Sequence, residues 1–418
     1  MNAPTSASSA RPAKTPQQIV FGILSSFGFA VTVLSLLLVI TLLGTLEQTS
    51  TGLYLSQKKY FESFFVSSVD IGAVQAGLFG ADTPPHEIPF FMPGGYLLMV
   101  LLFVNMMCGA VIRIRKGMRT LGILIAHCSV IFMLVAGFVS YYFKTDGLMQ
   151  VPEGGKNNEF ESATETAINI ERLLPAPNDG KRTAWVIDGA TFTDVSGDKG
   201  RTFFCKDLPF EIMVMNYEAN ADVRPPTSST STQAIVDGRY IQPVKREKEQ
   251  EKNLDAAMVR IIQKDGHTEQ GLLWRAALEP LSVVVGNETY GITLTRKKWV
   301  LPFAMRLDKF VHENHPGTER PRKFASTVTK YKQGREEVRE ITMNEPLRED
   351  GYAVFQQSFG QARRTDGKVV PASIFEIAQN PSDHWPLMSC IGVAIGLLIH
   401  TVSQLVRFLN KSRAPKVA

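Results

Sequence analysis

Four stretches of this 418-residue chain contain no Asp, Glu, Lys or Arg for 22 residues or more: Thr15 to Leu46, Ile88 to Ile112, Leu121 to Phe143 and Trp385 to Val406. About 20 apolar residues in a helix cross a hydrocarbon core of roughly 30 Å, and a backbone in lipid must satisfy its own hydrogen bonds. Each stretch therefore predicts a transmembrane helix, with margins left ragged by Gln17, Gln18 and Gln404. Arg11 and Lys14 ahead of the first run suggest a signal peptide, but the run is far longer than an h-region. Gly44-Thr45-Leu46-Glu47 is not a small-x-small cleavage site, so a retained anchor is expected.

Basic residues orient these spans. Arg113, Arg115, Lys116 and Arg119 lie between the second and third spans with no acid among them, and Arg407, Lys411, Arg413 and Lys416 follow the fourth. The positive-inside rule puts both fringes and the N-terminus in the cytoplasm. The expected order is a cytoplasmic tail (1–18), a three-helix membrane region (19–143) with an external loop (47–87), a β-rich external domain (144–383), a fourth transmembrane helix (384–408) and a cytoplasmic tail (409–418). The net charge of +5 gathers largely on the cytoplasmic fringes, so it reports topology and not nucleic-acid binding, for which no motif is present.

Between Lys144 and Asp383 the composition shifts to short β-branched and aromatic stretches separated by turn residues. Strands are expected at Ala167 to Glu171, Phe210 to Tyr217, Met258 to Gln263, Leu281 to Val285, Tyr290 to Thr295, Ala304 to Phe310, Ala325 to Tyr331, Glu337 to Thr342, Ala353 to Phe359 and Ser373 to Ala378. That spacing predicts an all-β sandwich or barrel. Val223 to Asp255, with PPTSSTST and then KREKEQEK, predicts a long solvated loop.

No catalytic constellation stands out here. His312 and His315 (HENH) lie in a polar segment ending in Pro316-Gly317 without an HExxH or Cys cluster, which predicts a surface turn and no metal. GxSxG, Walker A and dinucleotide fingerprints are missing. Cys108, Cys128 and Cys390 fall in spans, leaving Cys205 alone in the external domain as an expected buried small hydrophobe.

The chemistry-bearing feature is His127, inside the third stretch. It follows Arg119 by eight residues, roughly 12 Å into the bilayer core. A titratable group at that depth marks a functional site by default. At about 100° per residue, Gly122, Ala126, Ser129, Ala136, Gly137 and Ser140 form a small-residue packing stripe. His127 lies about 140° from Gly122, beside Ile131, Leu134 and Phe138, on a face that needs a partner subunit, another span or a cofactor to cover it. In the fourth span His400 shares a stripe with Ser389, Gly392, Gly396 and Ser403, which predicts an interhelical hydrogen bond. A membrane imidazole serves as a haem ligand, a proton relay or a transport-site group; with no acid in the charge-free stretches, the apolar wall around His127 suits a haem ligand best. Met149 is a possible soft ligand or a gap filler, and His86 and His384 are candidates near the outer surface.

Several segments together resemble the ResB family of system II cytochrome c biogenesis proteins. They are Gly44 to Gln48 (GTLEQ) with Lys58 to Phe65 (KKYFESFF), the third span GILIAHCSVIFMLVAG, and Pro302 to Thr329 followed by ITMNEPLREDGYAVFQQSFG. The phrase N-x-P-L-x-x-x-G and its aromatic-Gln-x-Ser ending are filled by Asn344, Pro346, Leu347, Gly351, Phe355, Gln356 and Ser358, which, with Gly44, Thr45 and Gln48, are expected to be structural. Asn380-Pro381-Ser382-Asp383 departs from a more usual Asp-Pro-Gly phrase.

The resemblance implies a multi-pass protein of the bacterial inner membrane, with four transmembrane helices (three N-terminal, one C-terminal) and a large β-rich extracytoplasmic domain. It implies haem b held transiently, with His127 as ligand, and a separate ResC/CcsA-type polytopic partner, with apocytochrome c as client. Thioether ligation then belongs to the synthetase complex, not to this chain alone. Two alternatives stand beside it: a membrane electron-transfer cytochrome b using His127 and His400, and a membrane-anchored scaffolding or binding protein.

Overall fold

The computed structural model describes residues 15–80, 83–174, 184–197, 199–226, 235–314, 317, 321–364 and 367–413. Two compact units divide it: the helical residues up to Phe143 together with those from Pro381 onward, and Lys144–Asn380.

In the helical unit, α1 (Pro16–Leu24) and α2 (Phe27–Thr51) replace the single first span expected from the sequence. Ser26 caps the Phe29 N–H at 3.1 Å, which starts a new helix. The Leu24 and Ser26 carbonyls at the break accept from the buried Asn105 amide at 2.7 and 3.1 Å, and Arg113 donates to the Ser25 carbonyl at 3.2 Å. A break in lipid is tolerated only when its freed carbonyls find such donors.

After α2 come α3 (Leu53–Ser56), a π-helical turn (Gln57–Phe61), β1 (Phe65–Asp70), α4 (Ile71–Phe79) and β2 (Glu87–Pro93), which pairs antiparallel with β1. α5 (Gly95–Met106) continues as a π-helical Met107–Ile112, followed by α6 (Leu121–Phe143) and, at the other end of the chain, α7 (Trp385–Arg413). Among the described residues four helices are long and apolar enough to cross a membrane: Phe27–Thr51, Gly95–Ile112, Leu121–Phe143 and Trp385–Asn410. Val33, Ile40, Tyr60, Val66, Met92 and Leu98 knit α2, α5 and the intervening loop into one apolar core.

The second unit is β-rich: β3 (Thr145–Pro152), β4 (Lys156–Leu174), β5 (Ala184–Asp188), β6 (Arg201–Phe203), β7 (Phe210–Glu218), β8 (Ala221–Arg224), β9 (Tyr240–Pro243), β10 (Ala256–Gln263), β11 (Thr268–Trp274), β12 (Leu281–Val285), β13 (Glu288–Asn314), β14 (Pro321–Lys332), β15 (Arg335–Thr342), β16 (Leu347–Glu349), β17 (Tyr352–Arg363) and β18 (Val369–Gln379). The main sheet runs β15-β14-β13-β4-β3-β18-β17-β16, with β12 and β5 attached to β13 and β4; a second sheet runs β11-β10-β7-β6. All ten expected strands lie within these elements, but Tyr290 to Thr295 and Ala304 to Phe310 are parts of one strand, β13. Its register with β4 lapses between Val300 and Met305, where Pro302, which has no N–H to donate, is accommodated.

The main sheet curls so that β14 faces β17 and β18 across its core, where Ser326 meets both Gln356 (2.5 Å) and Ser373 (2.7 Å). Met149 is buried there among Val151, Phe160, Phe303, Met305 and Phe375, as a gap filler. The stretch expected as a long loop holds the β8-β9 hairpin, with 227–234 outside the described residues. Its charged continuation is pinned: the Asn220 amide donates to the Lys245 carbonyl at 2.7 Å, and the fully buried Asn253 accepts from the Glu247 N–H at 2.8 Å.

Candidate functional site

Helices α6 and α7 approach at their glycines. A Cβ on Gly122 would lie 2.5 Å from the Gly396 carbonyl oxygen and 2.6 Å from the His400 backbone nitrogen; one on Gly392 would meet the Ser129 hydroxyl at 2.2 Å. Phe132 stacks on Trp385 at 5.2 Å, and Ser382 donates to the Ala136 carbonyl at 2.9 Å. The small-residue stripe of α6 therefore packs through Gly122, Ala126, Ser129 and Ala136, whereas Gly137 is exposed, and a Cβ there would have nothing within 4 Å.

His127 is half-buried away from that contact. Its Nδ1 lies 2.8 Å from the Ile123 carbonyl oxygen one turn earlier. A carbonyl only accepts, so in the neutral ring Nδ1 carries the proton and the lone pair is on Nε2, which makes no hydrogen bond to a described residue. A backbone carbonyl that fixes the tautomer in this way is the usual support of a metal-ligating imidazole. Further along the same face, Leu134, Val135 and Phe138 line an apolar cavity of about 300 Å³ with Met99, Val100 and Phe103 of α5. The chain thus covers this face partly with its own α5. His127 does not itself line that cavity, which begins seven residues further along α6; by its donor chemistry, a neutral imidazole on an apolar helix face, it is the residue that would hold a haem iron.

His400 is turned into the α6–α7 contact, where its backbone approaches Gly122. Its Nδ1 is buried without a hydrogen-bond partner, so the interhelical bond expected for it is not made through that atom. The two histidines adjoin different faces of α6. His86 has its backbone fixed, its N–H donating to Asp70 at 2.8 Å, with the residue itself exposed. His384 is 72% exposed beside Asp383 at 3.9 Å. The structure brings neither of them together with His127. Among the described residues, no group of three or more His, Cys, Asp or Glu is placed to hold a metal ion.

Two polar clusters near the loop between α2 and α5 have no counterpart among the expected site residues. Glu47, only 2% exposed near the end of α2, accepts from Lys59 and from the Tyr60 hydroxyl, both at 2.7 Å. Burial, then the Glu47 hydrogen bond, pushes the Tyr60 hydroxyl well above its ordinary range. Tyr96 donates to Tyr141 at 2.5 Å, and Tyr141 to Glu62 at 2.8 Å, linking α5, α6 and the loop. The sequence signal for the first was the acid in GTLEQ followed by KKY. Gly44 packs under Phe61, and Gly44, Thr45 and Gln48 line a cavity of about 190 Å³ with Leu53, Gln57 and Phe61.

The late motif residues are placed by the β fold. Asp350 (φ 50°) and Gly351 (φ 79°) form the two-residue turn between Glu349 and Tyr352, as an Asp-Gly hairpin requires. Leu347 is buried, Pro346 and Phe355 are half-buried, and Asn344 is exposed in the preceding turn. The β17 register shifts between Gln356 and Ser358; the Gln356 amide donates to the Ser358 carbonyl across this bulge at 2.8 Å. His315 lies outside the described residues, and His312 is on strand β13, not in a turn. Cys205 is half-buried against the core, and burial raises its thiol pKa.

These features define a class: a chain with four apolar helices compatible with a membrane protein and a large β-rich region. Residues 279–373, from just before β12 into β18, match the ResB-like family, the family that the sequence resembles, which implies a role in cytochrome c biogenesis. The match holds the Asn344-to-Ser358 phrase and does not extend to His127. No curated protein matches the chain.

Proposed function

We propose that the chain is a haem-handling subunit of system II cytochrome c assembly, working with a ResC/CcsA-type membrane partner. In this reading the four apolar helices span the bacterial inner membrane. The basic fringes at Arg113 to Arg119 and after Val406 face the cytoplasm, and the β-rich domain faces out. Haem supplies the group that the complex joins to exported apocytochrome c. His127 would hold it through Nε2 on the face beside the α5–α6 cavity.

The observation that carries the reading is the fixed His127 tautomer on a face turned away from the α6–α7 packing, taken with the family match. The test is a reporter cytochrome c in a host lacking other assembly systems, with the partner supplied and this chain present or absent. Covalent haem on the reporter only when the chain is present supports the role. Equal covalent haem without the chain overturns it.

A further inference from the structure

A second histidine, His312, occupies an aromatic cradle on the β-rich domain. Phe310 and His312 are two residues apart on β13 and so share a face, and His312 pairs in register with Phe324 of β14. The imidazole lies 5.0 Å from the Phe324 ring at an interplanar angle of 23°, and 4.7 Å from Phe359 of β17 at 36°. Phe310 stacks on Phe359 at 5.3 Å. Unlike the Phe160–Trp299 pair, whose Phe160 is sealed in the core, this cluster reaches the surface: His312 is exposed and Phe359 is 42% exposed.

Neither nitrogen of His312 makes a hydrogen bond to a described residue. Stacking against Phe324 and the tilted contact with Phe359 engage the faces of the imidazole and leave its edge, where the nitrogens sit. A metal bonded to imidazole lies in the ring plane, so this stacking does not obstruct coordination. A bare ion needs three or four protein ligands, and among the described residues no such group exists. An iron that brings its own equatorial nitrogens needs only one, with apolar side chains against the macrocycle.

We infer that His312, cradled by Phe310, Phe324 and Phe359, is an axial haem ligand on the β-rich domain, distinct from His127. The choice of haem over another metal macrocycle rests on the function proposed above.

Ferric haem titrated into the purified full-length chain in detergent tests this, followed by its absorption spectrum. The comparison is His127→Ala against His127→Ala/His312→Gln, with thermal midpoints checking that both variants are folded. The first should retain one histidine-ligated haem; the second should bind at least tenfold more weakly and lose the imidazole-ligated spectrum. In the His127→Ala background, Phe359→Ala should weaken binding several-fold while leaving that spectrum unchanged. Identical spectra and affinities with and without His312 overturn the inference and identify the bound haem as adventitious. The reporter assay separates the two claims: a His312 site that binds haem in a chain dispensable for maturation leaves this site standing and removes the assembly role, whereas maturation that needs the chain with no His312-dependent binding does the reverse.

Discussion

His127 and Ile123 are joined by a 2.8 Å contact between the imidazole Nδ1 and the carbonyl oxygen one turn earlier on α6. The bond costs the helix nothing in packing, because the α6–α7 contact is made by the glycine face. It decides the tautomer of the neutral imidazole, whose lone pair is then on Nε2.

The glycine contact itself is sharply testable. Gly122→Val places side-chain atoms where the Gly396 carbonyl and the His400 backbone already lie, and should destabilise the helical unit by about 1–3 kcal/mol or more, as overpacking does. Gly137→Ala, with nothing within 4 Å, should be neutral to slightly stabilising, by up to about 1 kcal/mol from helix propensity. Thermal stability of the two variants in detergent, measured side by side, checks the contrast.

The buried trio Ser326, Gln356 and Ser373 gives a second prediction. Gln356→Leu leaves the Ser326 hydroxyl, which also meets Ser373, without its amide acceptor and strips the bulge at Ser358 of its donor, for a loss of about 1–3 kcal/mol. Replacing all three by apolar residues should recover part of it, because no polar side chain is then stranded in that cluster. Denaturant unfolding of the single and triple variants distinguishes this from simple loss of volume.

Acid should weaken the β-rich unit through Glu349. Its hydrogen bonds from Lys330 and Lys332 hold the carboxyl at about 2 against an ordinary 4.5. A carboxylate depressed in the folded state contributes stability that is fully present above its unfolded pKa and is lost as pH falls through the folded one. The loss should therefore run from about pH 4.5 down to about 2, and Glu349→Gln should flatten that part of the thermal midpoint–pH curve. Equal acid slopes in the two proteins would remove Glu349 from the account.

What was legible in the sequence followed from strong local constraints. Charge-free runs long enough for a bilayer located the four apolar helices, and β-branched clusters located ten strand segments. Less visible was anything set by partners distant in sequence. The break after Leu24 depends on Asn105 and Arg113, some 80 residues away, and the three-residue strands β6 and β16 are too short to show a period of two. The β8-β9 hairpin was hidden in a low-hydrophobicity stretch whose order comes from Asn220 and Asn253. His127's face could be projected from helical geometry, but the cradle of His312 could not, because β17 brings Phe359 to it from 47 residues away.

The central claim is that Nε2 of His127 ligates haem, and the most direct measurement is the haem spectrum of the purified chain–partner complex carrying His127→Gly, with and without added imidazole. With His312→Gln in the background to silence the second site, the account predicts loss of the imidazole-ligated spectrum and its return when free imidazole fills the vacated position. A His127→Gly complex that keeps the full spectrum of its His127 parent without added imidazole would contradict it.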